Sequence, residues 1–267
     1  MGTRGVTPSR TTATYLYCLV HADRSPSLTG APPGLPGTGE LRVLPAGEDL
    51  WLIAADAPLA RYGSAPVERG LRDLEWVALR GAAHARVVEH FSRRLTTLPM
   101  KLFTLFTGDA RAVAHVRDAE ARVRRALARV DGRQEWGVRV RLDPGLTRRH
   151  ARRQPPPAAP ARRAGTRFLL AKKQQRDVAR AVLREGRAAV KDAFEALAGL
   201  AEATRRRPPE ELDGSRVVLD VALLVDSGRA SQFKRAVRRS ASVLAALGYR
   251  LTLSGPWPAY NFVSDPR

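Results

Sequence analysis

The chain has 267 residues, 44% of them hydrophobic, and a net charge of +20. That is enough apolar material for one large or two ordinary cores without staples, and the single cysteine, Cys18, excludes an internal disulfide. No stretch reaches the roughly 18 apolar residues that cross a bilayer, and the N-terminus lacks the apolar run of a signal peptide, so a cytoplasmic protein with no membrane partner is expected.

A charge this positive raises nucleic acid as a partner, because Lys and Arg release condensed counterions there. The composition argues against it. Of 46 basic residues 41 are Arg and five are Lys, in a chain also rich in Ala, Gly and Pro, a skew that genome base composition produces. Arginines also recur beside acidic residues, as in Arg117-Asp118-Ala119-Glu120 and Arg184-Glu185, the pattern of solvated helix faces. A basic nucleic-acid-binding module, with Arg148 to Arg167 as its arm, remains the second reading.

In chain order, Thr14 to Val20 is β-branched and aromatic enough for a strand, with Cys18 as a buried thiol. It runs into a loop from Asp23 to Gly39 that carries Pro26, Pro32, Pro33 and Pro36. Leu41 to Pro45 and Leu50 to Ala55 read as two short strands across a hairpin-length connection, so the three make a small sheet. After Pro66, apolar residues at Leu71, Leu74, Val77, Ala78, Val87, Val88 and Phe91 follow a helical repeat in which Gly81 marks a bend or break. Leu98 to Phe106 runs extended. Asp109 is placed to cap one helix from Ala110 to Val130, which Asp131-Gly132 ends.

Trp136 to Leu142 alternates apolar residues with Gly137, Arg139 and Arg141, the period of a half-buried strand. Asp143 to Gly165 carries five prolines and three arginine pairs and reads as a mobile basic insertion. From Thr166 to Arg207 the pattern is helical, through Val178, Val182, Leu183, Val190, Phe194, Leu197 and Leu200, until Pro208-Pro209 stops it. One rod of about 60 Å would outgrow a compact domain, so a kink near Gly186 or Gly199, or a helical hairpin, is expected. Val217 to Val225 is apolar enough for a central strand, followed by a helix from Ser231 to Leu247 and a strand from Tyr249 to Leu253. Strand, long helix, strand, helix, strand makes an α+β domain.

No catalytic signature stands out. The five histidines are scattered, and His84 and His90, six apart, miss the i, i+4 spacing of zinc ligands. Gly34 to Gly39 follows a proline-rich loop, not a strand, and is a turn. Asp220 and Asp226 have no histidine or metal cluster beside them and read as strand-face and turn residues. Neither an enzyme nor a cofactor or small-molecule substrate is indicated.

The C-terminus holds most information. Pro256 and Pro258 stiffen an extended chain that carries Trp257, Tyr260 and Phe262, and three rings in six residues must dock on something. Packing on the protein's own core is preferred to docking on a partner, with Trp257→Ala then expected to lower stability by at least about 2 kcal/mol.

Ser254-Gly-Pro-Trp-Pro-Ala-Tyr-Asn-Phe-Val263 resembles the (T/S)GPWPPYxFV ending of the GvpF/GvpL gas vesicle proteins, with Ala259 in place of the second proline of that run. His84-Ala-Arg-Val-Val-Glu-His90 and Leu98-Pro-Met-Lys-Leu-Phe-Thr-Leu-Phe106 resemble the family's HxxVVE and LPMRFGTVF segments, with Phe103 at the usual glycine, and Glu135 to Val140 is similar to its EWGVKV strand. Tyr15 to Tyr17 and Leu219 to Leu224 fall where the family has its first strand and its later apolar strand.

The resemblance implies an α+β protein of two domains, a small N-terminal sheet with helices over 1–132 and a C-terminal ferredoxin-like domain with a long helix or helical hairpin over 133–267. The second would carry the basic insertion 143–165 and the docked aromatic tail 254–263. It also implies binding of the apolar shell protein GvpA and other accessory proteins during vesicle nucleation and assembly, in the cytoplasm and associated with gas vesicles, with no cofactor and no reaction. Candidate partner-binding residues are Leu98, Met100, Leu102, Phe103, Leu105 and Phe106, with Trp257, Tyr260 and Phe262 of the tail.

Overall fold

The structure is a computed structural model and describes residues 11–143, 145, 184–208 and 217–263. The chain divides into two compact units, Met1–Gly132 with Trp257–Arg267, and Arg133–Pro256. The aromatic tail therefore counts with the first unit. The basic insertion lies outside the described residues except for Asp143 and Gly145.

The first unit is built on a sheet of five strands: β1 (Thr12–His21), β2 (Arg42–Pro45), β3 (Leu50–Pro58), β4 (Thr96–Pro99) and β5 (Leu105–Phe106). Their order is β2-β3-β1-β4, with β5 also on β1. The near-continuous apolar run of β1 suits this central place, buried on both faces. Opposite β3 a bulge between Leu16 and Cys18 inserts one residue, so Tyr15 and Tyr17 share a face and a core with Cys18 and Val20.

Three helices pair with these strands: α1 (Leu59–Tyr62), α2 (Ser64–Gly70) and α3 (Leu74–Ser92). One helix after Pro66 was the expectation; instead the chain breaks at 71–73, where the Asp73 carboxylate accepts from the backbone N–H of Glu75 and Trp76 and starts α3 afresh. Gly81 breaks nothing, and α3 runs through it to place Val87, Val88 and Phe91 in the core. The single helix expected over 110–130 is likewise two, α4 (Asp109–Asp118) and α5 (Glu120–Val130), separated at Ala119. The break lets both Ala112 and Val116 of α4 and Ala126, Leu127 and Val130 of α5 reach the interior. Gly108, not Asp109, is the cap. Asp109 instead accepts from Thr14 Oγ1 at 2.6 Å and from Arg42 Nη2 at 2.7 Å, tying the first turn of α4 to β1 and β2. The Arg42 guanidinium holds this carboxyl below the usual carboxylate range.

Among the described residues the second unit runs β6 (Arg133–Leu142), a helix α6 over 184–198, β7 (Ala203–Arg206), β8 (Val217–Asp226), α7 (Ala230–Ala246) and β9 (Tyr249–Trp257). The strand order β7-β8-β6-β9 with this β-α-β-β-α-β succession is the ferredoxin-like arrangement. The helical pattern runs through to Arg207, but helix gives way after 198 and β7 follows, because Glu202 N–H finds Leu224 O at 2.8 Å and Arg207 N–H finds Asp220 O at 2.9 Å. Residues 166–183 of that reading lie outside the described residues. One sheet face, with Trp136, Val138, Leu219, Val221 and Leu223, packs against Ala193 and Leu197 of α6 and Phe233 and Val237 of α7. Gly186 lets α6 lie close on β9: a Cβ there would meet the Tyr249 ring at 2.5 Å.

Candidate functional site

Along one side β1 meets two short strands in turn. It pairs with β4 from Cys18↔Pro99 to His21↔Thr96, and with β5 at Thr14↔Phe106 and Tyr15↔Leu105. Between them the chain leaves the ladder. Met100 N–H donates to Tyr17 O at 2.9 Å and Leu16 N–H to Thr104 O at 3.0 Å, so 101–103 project as a turn closed from Thr104 Oγ1 to Lys101 O at 2.7 Å. Leu98 to Phe106 is thus two strands and a turn, not one extended stretch.

Phe103 sits in that turn at φ 65, the left-handed region, where a side chain costs about 1 to 2 kcal/mol. The resembling segment has glycine here, and the backbone explains it. Phe103 recovers part of the cost through its ring, 5.4 Å from that of Trp76 and packed against the first core.

A buried polar chain supports the turn from beneath. Phe103 N–H donates to Tyr15 Oη at 3.3 Å, Tyr15 Oη donates to His84 Nδ1 at 2.8 Å, and His84 Nε2 donates to Met100 O at 3.1 Å. These roles require a neutral imidazole with its proton on Nε2. Burial pushes the His84 pKa down to about 4, opposed by the Met100 carbonyl, and pushes the Tyr15 hydroxyl above its ordinary value. Uncharged and 3% exposed, His84 is a strut under the turn rather than an acid or base that substrate could reach.

Beside β5 opens a cavity of about 340 Å³ whose lining includes Leu59, Tyr62, Val67, Phe103, Leu105 and Phe106. Among the described residues β5 has β1 as its one strand partner, so its outer edge carries no strand. An unpaired edge beside an apolar cavity can take an extended apolar segment by adding a strand, with a side chain in the cavity.

The candidate residues therefore separate. Phe103, Leu105 and Phe106 line the cavity, half-buried, Met100 and Leu102 are half-buried in the segment between β4 and β5, and Leu98 is buried within β4. In the tail, Phe262 is 2% exposed and its carbonyl accepts from Arg129 Nη1 at 3.3 Å; Tyr260 packs half-buried on the first core, its ring 6.4 Å from that of His84. Trp257 is 44% exposed, which removes the basis for expecting its truncation to cost a core residue's stability. The pattern missed Leu59, Tyr62 and Val67, which reach the cavity from two short helices of weak periodicity. His84 was findable, since 84, 87, 88 and 91 share one helix face.

Asp220 and Asp226 do separate work: Asp220 binds two arginines, and Asp226 accepts from Gly228 N–H at the turn after β8. Among the described residues no three His, Cys, Asp or Glu side chains group so as to hold a metal ion, and no helix is long and apolar enough to cross a membrane.

Comparison with known proteins agrees along nearly the whole chain. A family model for gas vesicle synthesis protein GvpL/GvpF matches residues 13–264. Gas vesicle protein L of Streptomyces sp. (strain CB03234) is 32% identical over 219 residues, 80% of each chain. The crystal structure of GvpF from Anabaena sp. PCC7120 has a similar fold, with a TM-score of 0.67 at 15% identity over 96% of this chain and 98% of that one. GvpF from Microcystis aeruginosa follows at 0.64 and 12%, over 94% and 99%.

Proposed function

The chain belongs to the GvpL/GvpF family of gas vesicle synthesis proteins, and from that premise we propose that it binds the apolar shell protein GvpA, and other accessory proteins, while vesicles nucleate and grow in the cytoplasm. The observation that supports this reading is the β5 edge with its apolar cavity. An apolar segment of the shell protein lies along that edge before it joins a rib, hidden from aggregation, and one of its side chains fills the cavity. The role is that of a chaperone or nucleator, with no bond made or broken.

The test is capture of co-expressed shell protein by the tagged full chain. Leu59→Asp and Val67→Asp place a carboxylate at the cavity wall and are expected to reduce capture at least about tenfold with urea midpoints little changed. Val243→Asp, at an exposed position of α7 in the other unit, is expected to capture normally. Undiminished capture by both cavity variants would remove the edge from the binding site.

A further inference from the structure

The second sheet is covered by α6 and α7 on one face. Strand alternation sends Arg139 and Asp220 to the other, and Arg141 follows two residues along β6, past a bulge in the pairing that sets it against Val217. Asp220 is 6% exposed and lies at the centre of an arginine pair. Its Oδ2 accepts from Arg139 Nε and Nη2 at 2.8 and 2.6 Å, and its Oδ1 accepts from Arg207 Nε at 2.8 Å, with Arg207 Nη2 2.7 Å away in the ion pair. Each guanidinium thus uses one edge on the carboxylate, and among the described residues its Nη1 has no acceptor, with side chains 37% and 40% exposed. A Cβ at Gly137, beside the pair, would lie 2.5 Å from Ser254 Oγ and 3.3 Å from Arg207 Nη2. Around Asp220 one carboxylate between two guanidiniums leaves a net positive charge, while Glu135, Ala222 and Leu224 farther along the same face are buried; Arg141, two residues from Arg139 along β6, has no partner among the described residues.

We propose that the end of this face around Asp220 binds an acidic protein segment, whose Asp or Glu side chains take the outer edges of Arg139 and Arg207 and the charge of Arg141. Asp220 acts as the positioning residue, holding two forks at the surface so that their ordering is already done when a carboxylate arrives. Protein is favoured over nucleic acid because ferredoxin-like sheets that read single-stranded RNA stack bases on aromatic rings, and the sheet rings within the second unit, Trp136 and Tyr249, lie in the helix-covered core, Trp257 at the end of β9 counting with the first unit. This site is separate from the β5 edge and does not depend on it.

The probe is a fluorescein-labelled decaglutamate peptide titrated against the full chain by anisotropy at near-physiological ionic strength. Arg141→Glu is expected to weaken binding at least about tenfold, while Arg239→Glu, the same charge change at an exposed position of α7, stays within about twofold. Arg139→Lys keeps the charge but loses the fork and is expected to weaken binding about threefold or more. Arg141→Gln guards against a folding defect in the charge reversal and is expected to weaken binding in the same direction. Equal losses at Arg141 and Arg239 would reduce the effect to overall charge and overturn the proposal, as would no loss at either. A single-stranded RNA decamer that binds more tightly than the peptide, and is lost in Arg141→Glu, would reassign the face to nucleic acid.

Discussion

β1 and β8 are both central strands, each nearly continuous in apolar side chains and each interrupted by a buried polar residue, Thr14 in one and Asp220 in the other. The hydroxyl of Thr14 needs one acceptor and finds Asp109 on the first turn of α4, so its partner brings a helix onto the sheet. The carboxylate of Asp220 needs several donors and draws arginines from β6 and from the end of β7. Those long charged side chains lie over the sheet around Asp220, while Ala222 and Leu224 farther along the same face are fully buried. The kind of polar group buried in each middle strand thus decides what gathers around it: a helix in the first unit, a pair of half-exposed arginines in the second.

The largest test of this contrast concerns closure of the first unit by the tail. Phe262→Ala is expected to cost about 3 to 5 kcal/mol, as a buried ring does, while Trp257→Ala costs less than about 1 kcal/mol because its ring is 44% in water. Urea midpoints of the two variants check it. Equal losses would mean that the tail docks as one block.

Next in size is the strut beneath the edge turn. An unfolded histidine titrates near 6.5 and His84 in the fold only at about 4, so between these values the unfolded state holds more protons. Stability is full above pH 6.5 and falls as pH drops towards 4, by about 3 kcal/mol, since each pKa unit is worth about 1.4. Denaturation at stepped pH measures the slope, and His84→Gln should flatten that part of it.

The two polar residues of the central strands can be compared directly. Asp220→Ala is expected to cost about 1 to 2 kcal/mol, since its arginines are partly exposed and can turn to water, and Thr14→Val about 1 kcal/mol for one lost hydrogen bond. A much larger loss for Thr14→Val, seen as a lower urea midpoint, would show that α4 is held chiefly through that hydroxyl.

The smallest effect lies in the edge turn. At φ 65 the usual order of glycine and alanine reverses, so Phe103→Gly should be more stable than Phe103→Ala by about 1 kcal/mol, although both lose the ring. Paired thermal melts decide it.

Local pattern alone determined β1, β3, β6, β8 and α7, because apolar alternation and helical repeats record which faces are buried. It also marked the candidate segment around Leu105 and the ring-bearing tail. Tertiary structure decided the rest. Ala203-Thr-Arg-Arg206 has no apolar alternation and is a strand because β8 offers it carbonyls and the Phe194 ring takes the Arg206 guanidinium at 4.3 Å. The breaks at 71–73 and Ala119 follow from where α3, α4 and α5 must reach the interior. The cavity draws on residues as far apart as Leu59 and Phe106, and the same tail buries Phe262 while leaving Trp257 in water. Periodicity tells a residue's side of its own element; which surface meets that side depends on contacts between residues far apart in the chain.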